Sequence, residues 1–169
     1  MIDAKEKEVL AKAMRINWVI WAAMLSSIGI YVLVAHLTKG KVTIGAGIGD
    51  VFGLLKIILL VVGILELLLI PYIKKLVLKG VRPPKTTAAM GIAGPGSHPA
   101  VAAYMSALIV SLAIAESVAI YGLVLFFLGG DFQTLYLFAA LGACGMIVSR
   151  PKMDELEQLA AALQKAENA

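Results

Sequence analysis

Four apolar runs, at 18–37, 51–73, 101–128 and 132–148, constrain this chain more than any other feature. A helix crossing a hydrocarbon core about 30 Å thick needs roughly 20 mostly apolar residues. Three runs meet that length. The fourth lies near the lower end of the workable range, but Asp131 and Arg150 bound it cleanly. Composition agrees: 60% of residues are hydrophobic and 15% charged, against about 45–50% apolar and about 25% charged in soluble domains. The mean hydropathy is +0.91. The expected fold class is therefore all-α: an integral, multi-pass membrane protein of four helices arranged as two tandem transmembrane hairpins.

Charge placement predicts the topology. Lys74, Lys75, Lys79, Arg82 and Lys85 fall between the second and third runs with no acid among them. A Lys/Arg excess beside spans marks the cytoplasmic side. With that loop inside, both termini are inside too, flanked by Lys12, Arg15, Arg150 and Lys152. The opposite side carries only Lys39, Lys41 and Asp131 in a tight GGD turn. The opening MIDAKEKEVLAKAMR mixes acids and bases ahead of a full-length span, so the first helix reads as retained rather than cleaved. The basic loop suits anionic lipid headgroups, and no nucleic-acid partner is expected. The one cysteine, Cys144, lies within the fourth run and reads as a small apolar filler.

This divides the chain into a first hairpin over 1–78 (helices 18–37 and 51–73), a linker over 79–100, a second hairpin over 101–150 and a tail over 151–169. The linker, KGVRPPKTTAAMGIAGPGSHP in its core, has Pro83, Pro84, Pro95 and Pro99 to block continuous helix. The tail, MDELEQLAAALQKAENA, is an amphipathic helix with Leu156, Leu159 and Leu163 on one side. It can lie on the membrane surface or against a neighbour. A repeat links the halves: at an offset of ninety residues SSIGIYVLV falls on ESVAIYGLV, matching Ser27 with Ser117 and Tyr31 with Tyr121. Gly49-Asp50 before the second run echoes Gly130-Asp131 before the fourth, and Pro71 echoes Pro151.

Two acids fall inside apolar runs, Glu66 and Glu116. A charge at the bilayer centre costs about 2.5–3.5 kcal/mol on insertion scales, so such residues face protein or water and mark a functional site by default. Glu116 has long apolar stretches on both sides and is expected to hold a proton or a cation. Ser117, adjacent, and Tyr121, five residues on, are its expected oxygen-bearing partners. Glu66 lies seven residues before Ile73, roughly 10 Å from the cytoplasmic end by helical rise, and is expected to be structural or auxiliary. Ser26, Ser27 and Tyr31 are the corresponding positions of the first repeat. Lys56 reads as a snorkelling anchor and His36 as an interfacial polar residue. No nucleotide-binding glycine loop, Cys/His cluster or Ser/His/Asp set suggests an enzyme. The glycine-rich TIGAGIGD lies on the outer loop, away from any phosphate site.

The string AESVAIYGLVLFFL resembles the carboxylate-bearing helix of the proteolipid c subunits of rotary ATPases. In that family a mid-membrane acid precedes a pattern like IYGLV, and sodium-binding members place Ser or Thr beside it and Tyr five residues on. Glu116, Ser117 and Tyr121 fit that sub-pattern. LFAALGACGMIVSRP is similar to the family's small-residue helix, with Gly142, Gly145 and Arg150-Pro151 in corresponding places. Two hairpins per chain, one lacking its carboxylate because Ser26 stands where the repeat has Glu116, also matches a vacuolar-type habit. Three departures stand against it. The chain opens on the degenerate carboxylate helix, the sodium-site glutamine is absent from every span, and the second span is bulky rather than glycine-rich.

The resemblance implies a non-catalytic subunit that carries H+ or Na+ on Glu116, with no other cofactor. It would work in an oligomeric, ring-shaped complex with copies of itself or other membrane subunits, in a bacterial inner membrane or its equivalent. The alternative is a structural or assembly subunit without ion transport, its carboxyls holding helices together. A small secondary transporter is a third class, but broken helices at a repeat interface are not evident.

Overall fold

The computed structural model describes residues 4–39, 49–79 and 99–167, and these are helical throughout apart from short turns. The five helices are α1 (Ala4–Thr38), α2 (Gly49–Lys79), α3 (Pro99–Gly129), α4 (Phe132–Val148) and α5 (Met153–Glu167). The glycine-rich stretch over 43–48 and the linker over 80–98, with Arg82 and Lys85, lie outside the described residues. Three helices, α1 to α3, are long and apolar enough to cross a membrane, and α4 with α5 makes a fourth span only if their 49° bend is counted as one. Alone, α4 has 17 residues, which at 1.5 Å per residue is about 25 Å.

Local chemistry sets the helix ends. The α3–α4 turn needs a left-handed residue, and Gly130 supplies it at φ 67°, a conformation that costs glycine little. The Gly130 N–H donates to Phe126 O at 2.7 Å. Asp131 then caps α4 by accepting from the Gln133 N–H at 2.9 Å and from the Thr134 hydroxyl. Lys56, expected as a snorkelling anchor, reaches from α2 to pair with Asp131 at 3.1 Å. At the far end α4 stops at Ser149, before Pro151. The next helix, α5, starts with Asp154 and Glu155 in its first turn and ends near Lys165, as the helix dipole favours. Unlike Pro151, Pro71 breaks nothing: α2 runs through it to Lys79.

The hub is α3. It packs on α4, α2 and α1, while α1 also meets α4 and α5. The two elements expected as a first hairpin therefore approach α3 from different sides. α2 runs antiparallel to α3, with Phe52 against Gly129, Gly63 against Val118 and Lys74 over the Tyr104 ring. α4 is antiparallel to α3 as well, with Gly122 on Leu135 and Phe138, and Gly142 on Ala115 and Ala119. α1 is parallel to α3: Leu10 clusters with Ala100 and Tyr104, and Ala35 with Phe126. Those pairings keep close to the ninety-residue offset of the repeat, so the repeat is also the register in which α1 and α3 stand.

The amphipathic tail does choose a surface. Leu156 and Ala160 of α5 are buried against Leu10 and Met14 of α1 and Ala100 and Tyr104 of α3, with Leu159 and Leu163 at the margin. The Tyr104 hydroxyl accepts from the Lys152 N–H at 2.8 Å. Lys74 of α2 pairs with Glu155, which Lys152 also approaches at 3.5 Å. The tail thus closes the end of the bundle at which α1 and α3 begin and α2 and α4 finish.

Burial is uneven. Within the best spanning windows, 44% of α3 is buried but only 11% of α1 and of α2. Leu54, Ile57, Val61, Leu65, Leu68 and Leu76 of α2 all face outward. Apolar surface of that extent on a lone protein marks contact with lipid or with another chain.

A Cβ on Gly142 would sit 2.8 Å from Ala115 O and 3.0 Å from Ala119 Cβ, whereas on Gly145 it would meet the mobile end of Leu67 at 2.5 Å. Backbone cannot step aside as a side-chain tip can. Gly142→Ala should therefore cost roughly 1–3 kcal/mol of stability in detergent and Gly145→Ala distinctly less. Equal losses in thermal unfolding would show that α3 and α4 are not in such close contact.

Asp131 gives a pH signature outside the spans. The Thr134 hydroxyl, with help from Lys56 and the Gln133 N–H, holds its carboxyl below the usual 3.8 despite opposition from partial burial. A depressed folded value means the stabilisation is full above the ordinary carboxylate range and is lost as pH falls through the lowered one. Acid unfolding of wild type should thus show a destabilising step below about pH 4 that Asp131→Asn lacks. Superimposable profiles for the two proteins would remove Asp131 as the cause.

Candidate functional site

Neighbouring residues on a helix point about 100° apart, and residues four apart share a face. Glu116 and Ser117 of α3 accordingly look in different directions. Glu116 turns to α1, where Ser27 Oγ donates to its Oε1 at 2.6 Å and Tyr31 OH donates to the same oxygen at 2.5 Å. Ser117 and Tyr121 turn instead to α2. Ser117 Oγ donates to Glu66 Oε2 at 2.9 Å, and Tyr121 OH donates to Glu66 Oε1 at 2.8 Å.

The residues expected to form one site around Glu116 are therefore divided between two. Ser117 and Tyr121 serve Glu66, and the supposedly auxiliary Ser27 and Tyr31 serve Glu116. Ser26, which the repeat aligns with Glu116, takes no part: it is exposed and donates to Ala22 O of its own helix at 2.7 Å. Glu66 lies level with Ser117 and Tyr121 and within a turn or so of Glu116 along the bundle, because α2 runs antiparallel to α3.

One sequence signal pointed to this arrangement. Ser-x-x-x-Tyr occurs at the same place in each repeat, a spacing that puts both hydroxyls on one helix face. Two such faces call for two carboxyls, and the spans hold two.

The sites differ in how fully the carboxyl is engaged. Both hydroxyl bonds to Glu116 converge on Oε1, and Oε2 takes none from the described residues. Glu66 has each oxygen engaged. Both glutamates and all four hydroxyl residues are half-buried, neither sealed in the core nor open.

Each serine has a choice of acceptor. Ser27 Oγ lies 2.6 Å from Met24 O as well as 2.6 Å from Glu116, and Ser117 Oγ lies 2.7 Å from Ile114 O. A hydroxyl has one proton and two lone pairs. Turned to the carboxylate, that proton stabilises the ionised form. Turned to the backbone carbonyl, it leaves a lone pair facing whatever has neutralised the acid. The serine hydroxyl can therefore serve either acceptor by rotating about its own Cβ–Oγ bond. No group of three or more His, Cys, Asp or Glu suited to a transition metal occurs among the described residues.

The remaining polar residues lie elsewhere. His36 is exposed at the other end of α1, 3.2 Å from the Tyr136 hydroxyl. Cys144, expected as an apolar filler, is exposed on α4. In comparison with known proteins, no family model, curated sequence or solved structure matches this chain.

The pairing across helices has a thermodynamic signature. Hydrogen bonds between membrane helices contribute about 0.6 kcal/mol on average and up to roughly 2. In double-mutant cycles, Tyr31→Phe should couple with Glu116→Gln by about that much and not with Glu66→Gln, while Tyr121→Phe shows the reverse. Coupling of Tyr121 to Glu116 would contradict the assignment.

Proposed function

We propose that this chain is a multi-pass membrane subunit that takes up and releases H+ or Na+ at Glu116, within an oligomeric, proteolipid-like ion-translocating complex. The observation that carries the reading is the uncommitted Oε2 of Glu116, on a carboxyl already gripped by Ser27 and Tyr31 midway along α3. A group that must exchange an ion needs one oxygen free to receive it and fixed donors to hold the charge while it is absent. The local resemblance of AESVAIYGLVLFFL to c subunits points to the same carboxyl, although its Ser117 and Tyr121 turn to Glu66 here. Sodium would draw its oxygens from Glu116, Ser27 and Tyr31, as a hard cation prefers. The protein would be a passive carrier, its ion driven past another subunit, and not an enzyme.

The four spans would run up and back twice. The end closed by α5 carries Lys74, Lys75, Arg150 and Lys152 and by the positive-inside rule faces the cytoplasm, putting both termini there. The broad apolar faces of α1 and α2 would be covered by lipid, by further copies or by other membrane subunits.

Glu66 favours a second reading for itself. With a hydroxyl on each oxygen, it serves as interhelical glue between α2 and α3. Were Glu116 equally inert, the chain would be a structural or assembly subunit.

Labelling by dicyclohexylcarbodiimide in native membranes separates the two. Glu116 should react readily, more slowly as pH rises, and sodium should protect it if sodium is the ion. Glu66 should react far less. Glu116→Gln should assemble normally yet abolish ion-coupled activity. Unaltered ion flow in that variant, or an unreactive Glu116 at every pH, would leave only the structural role.

A further inference from the structure

A cleft of about 370 Å³ runs between the C-terminal halves of α2 and α4, its end closed by α5. That volume is within the range of about 300–1,000 Å³ common to ligand sites. Its chemistry is segregated along the bundle. Leu67, Ile70, Pro71, Cys144 and Val148 make one stretch apolar, and Lys74, Ser149, Lys152 and Glu155 gather where α4 turns into α5.

We propose that this cleft binds one anionic phospholipid, its phosphate at Lys74 and Lys152 and an acyl chain along Leu67, Ile70 and Val148. The charge is complementary, since two ammonium groups share the single carboxylate of Glu155 and one positive charge is left over. Ser149 points to a missing partner. It is only 6% exposed, and its Oγ has no hydrogen-bond partner among the described residues, although it lines the polar end. Val148 lines the cleft and is largely exposed, so the apolar stretch opens to the outer surface of the bundle. An amphiphile held in the bilayer therefore matches both ends of the cleft, and a soluble anion matches only one. Basic pockets between spans on the cytoplasmic side hold acidic lipid headgroups by this combination.

The proposal rests on the membrane-spanning reading and not on ion exchange at Glu116. Native mass spectrometry of the full chain, freed from detergent after titration with phosphatidylglycerol or phosphatidylcholine, tests it. Wild type should bind one phosphatidylglycerol in a saturable first step, preferred by roughly five- to tenfold. Lys74→Gln with Lys152→Gln should bring the two lipids to parity. Val148→Trp, on a side chain that is 77% exposed and so safe for folding, should block both by filling the apolar stretch while leaving the ion pair alone. Glu116→Gln should bind as wild type does, which separates this site from the ion site. Equal binding of the two lipids by wild type, undiminished phosphatidylglycerol binding in Val148→Trp, or displacement of the lipid by inorganic phosphate would overturn the proposal. A second copy of the chain retained in place of lipid would do so as well.

Discussion

A carboxyl group on an apolar helix shielded from water must find hydrogen-bond donors or give up its charge, and the packing of this bundle meets that requirement. Glu116 and Glu66 cannot be satisfied by the helices that carry them. Each draws a serine and a tyrosine hydroxyl from a neighbour: α1 for Glu116, α3 for Glu66. These bonds tie α1 to α3 and α3 to α2 at one level of the structure, which makes α3 the hub. Its small residues then let α4 approach closely, Gly142 lying against Ala115 and Ala119, which bracket Glu116 in the sequence. Polar satisfaction and close packing thus meet at the same height.

The repeat acquires a physical meaning in this light. What the halves share is the Ser-Tyr face, not the acid. The acids come from unrelated positions, one from the middle of a repeat-related helix and one from α2. The two Ser-x-x-x-Tyr faces are clasps of equal design that differ in the carboxyl they hold. At Glu116 both hydroxyls meet one oxygen, and on the reading proposed above the other is left for ion exchange. At Glu66 each oxygen has its own hydroxyl, and on the same reading the pair is a fastener.

Much of the fold was legible from the apolar runs because hydrocarbon permits few alternatives. The helices α3 and α4 and their turn at GGD fall where run length and the Gly130-Asp131 pair place them, whereas α1 starts at Ala4 and α2 runs on to Lys79, beyond their apolar runs. The α5 contact was open, since Leu156, Leu159 and Leu163 form a stripe that says something is covered without saying by what. The candidate site was read in part. Glu116 stood out as an acid among apolar neighbours, but proximity in sequence tied it to Ser117 and Tyr121. Helical geometry sends an adjacent residue about 100° away and a residue five on about 140° away, so the partners had to come from another helix. The choice of helix depends on packing between spans, which periodicity does not encode. Likewise Cys144 reads as filler until the gap between α2 and α4 is seen.

The most direct test is difference infrared spectroscopy of the carboxyl C=O stretch in reconstituted protein, stepped in pH and in sodium, with Glu116→Gln and Glu66→Gln to assign bands. An exchangeable Glu116 beside a fastened Glu66 predicts one membrane carboxyl band that changes with pH or sodium and disappears in Glu116→Gln. The Glu66 band should stay fixed throughout. A responsive band that survives in Glu116→Gln and is lost in Glu66→Gln would reverse the roles of the two sites, and no responsive band at all would contradict ion exchange by this chain.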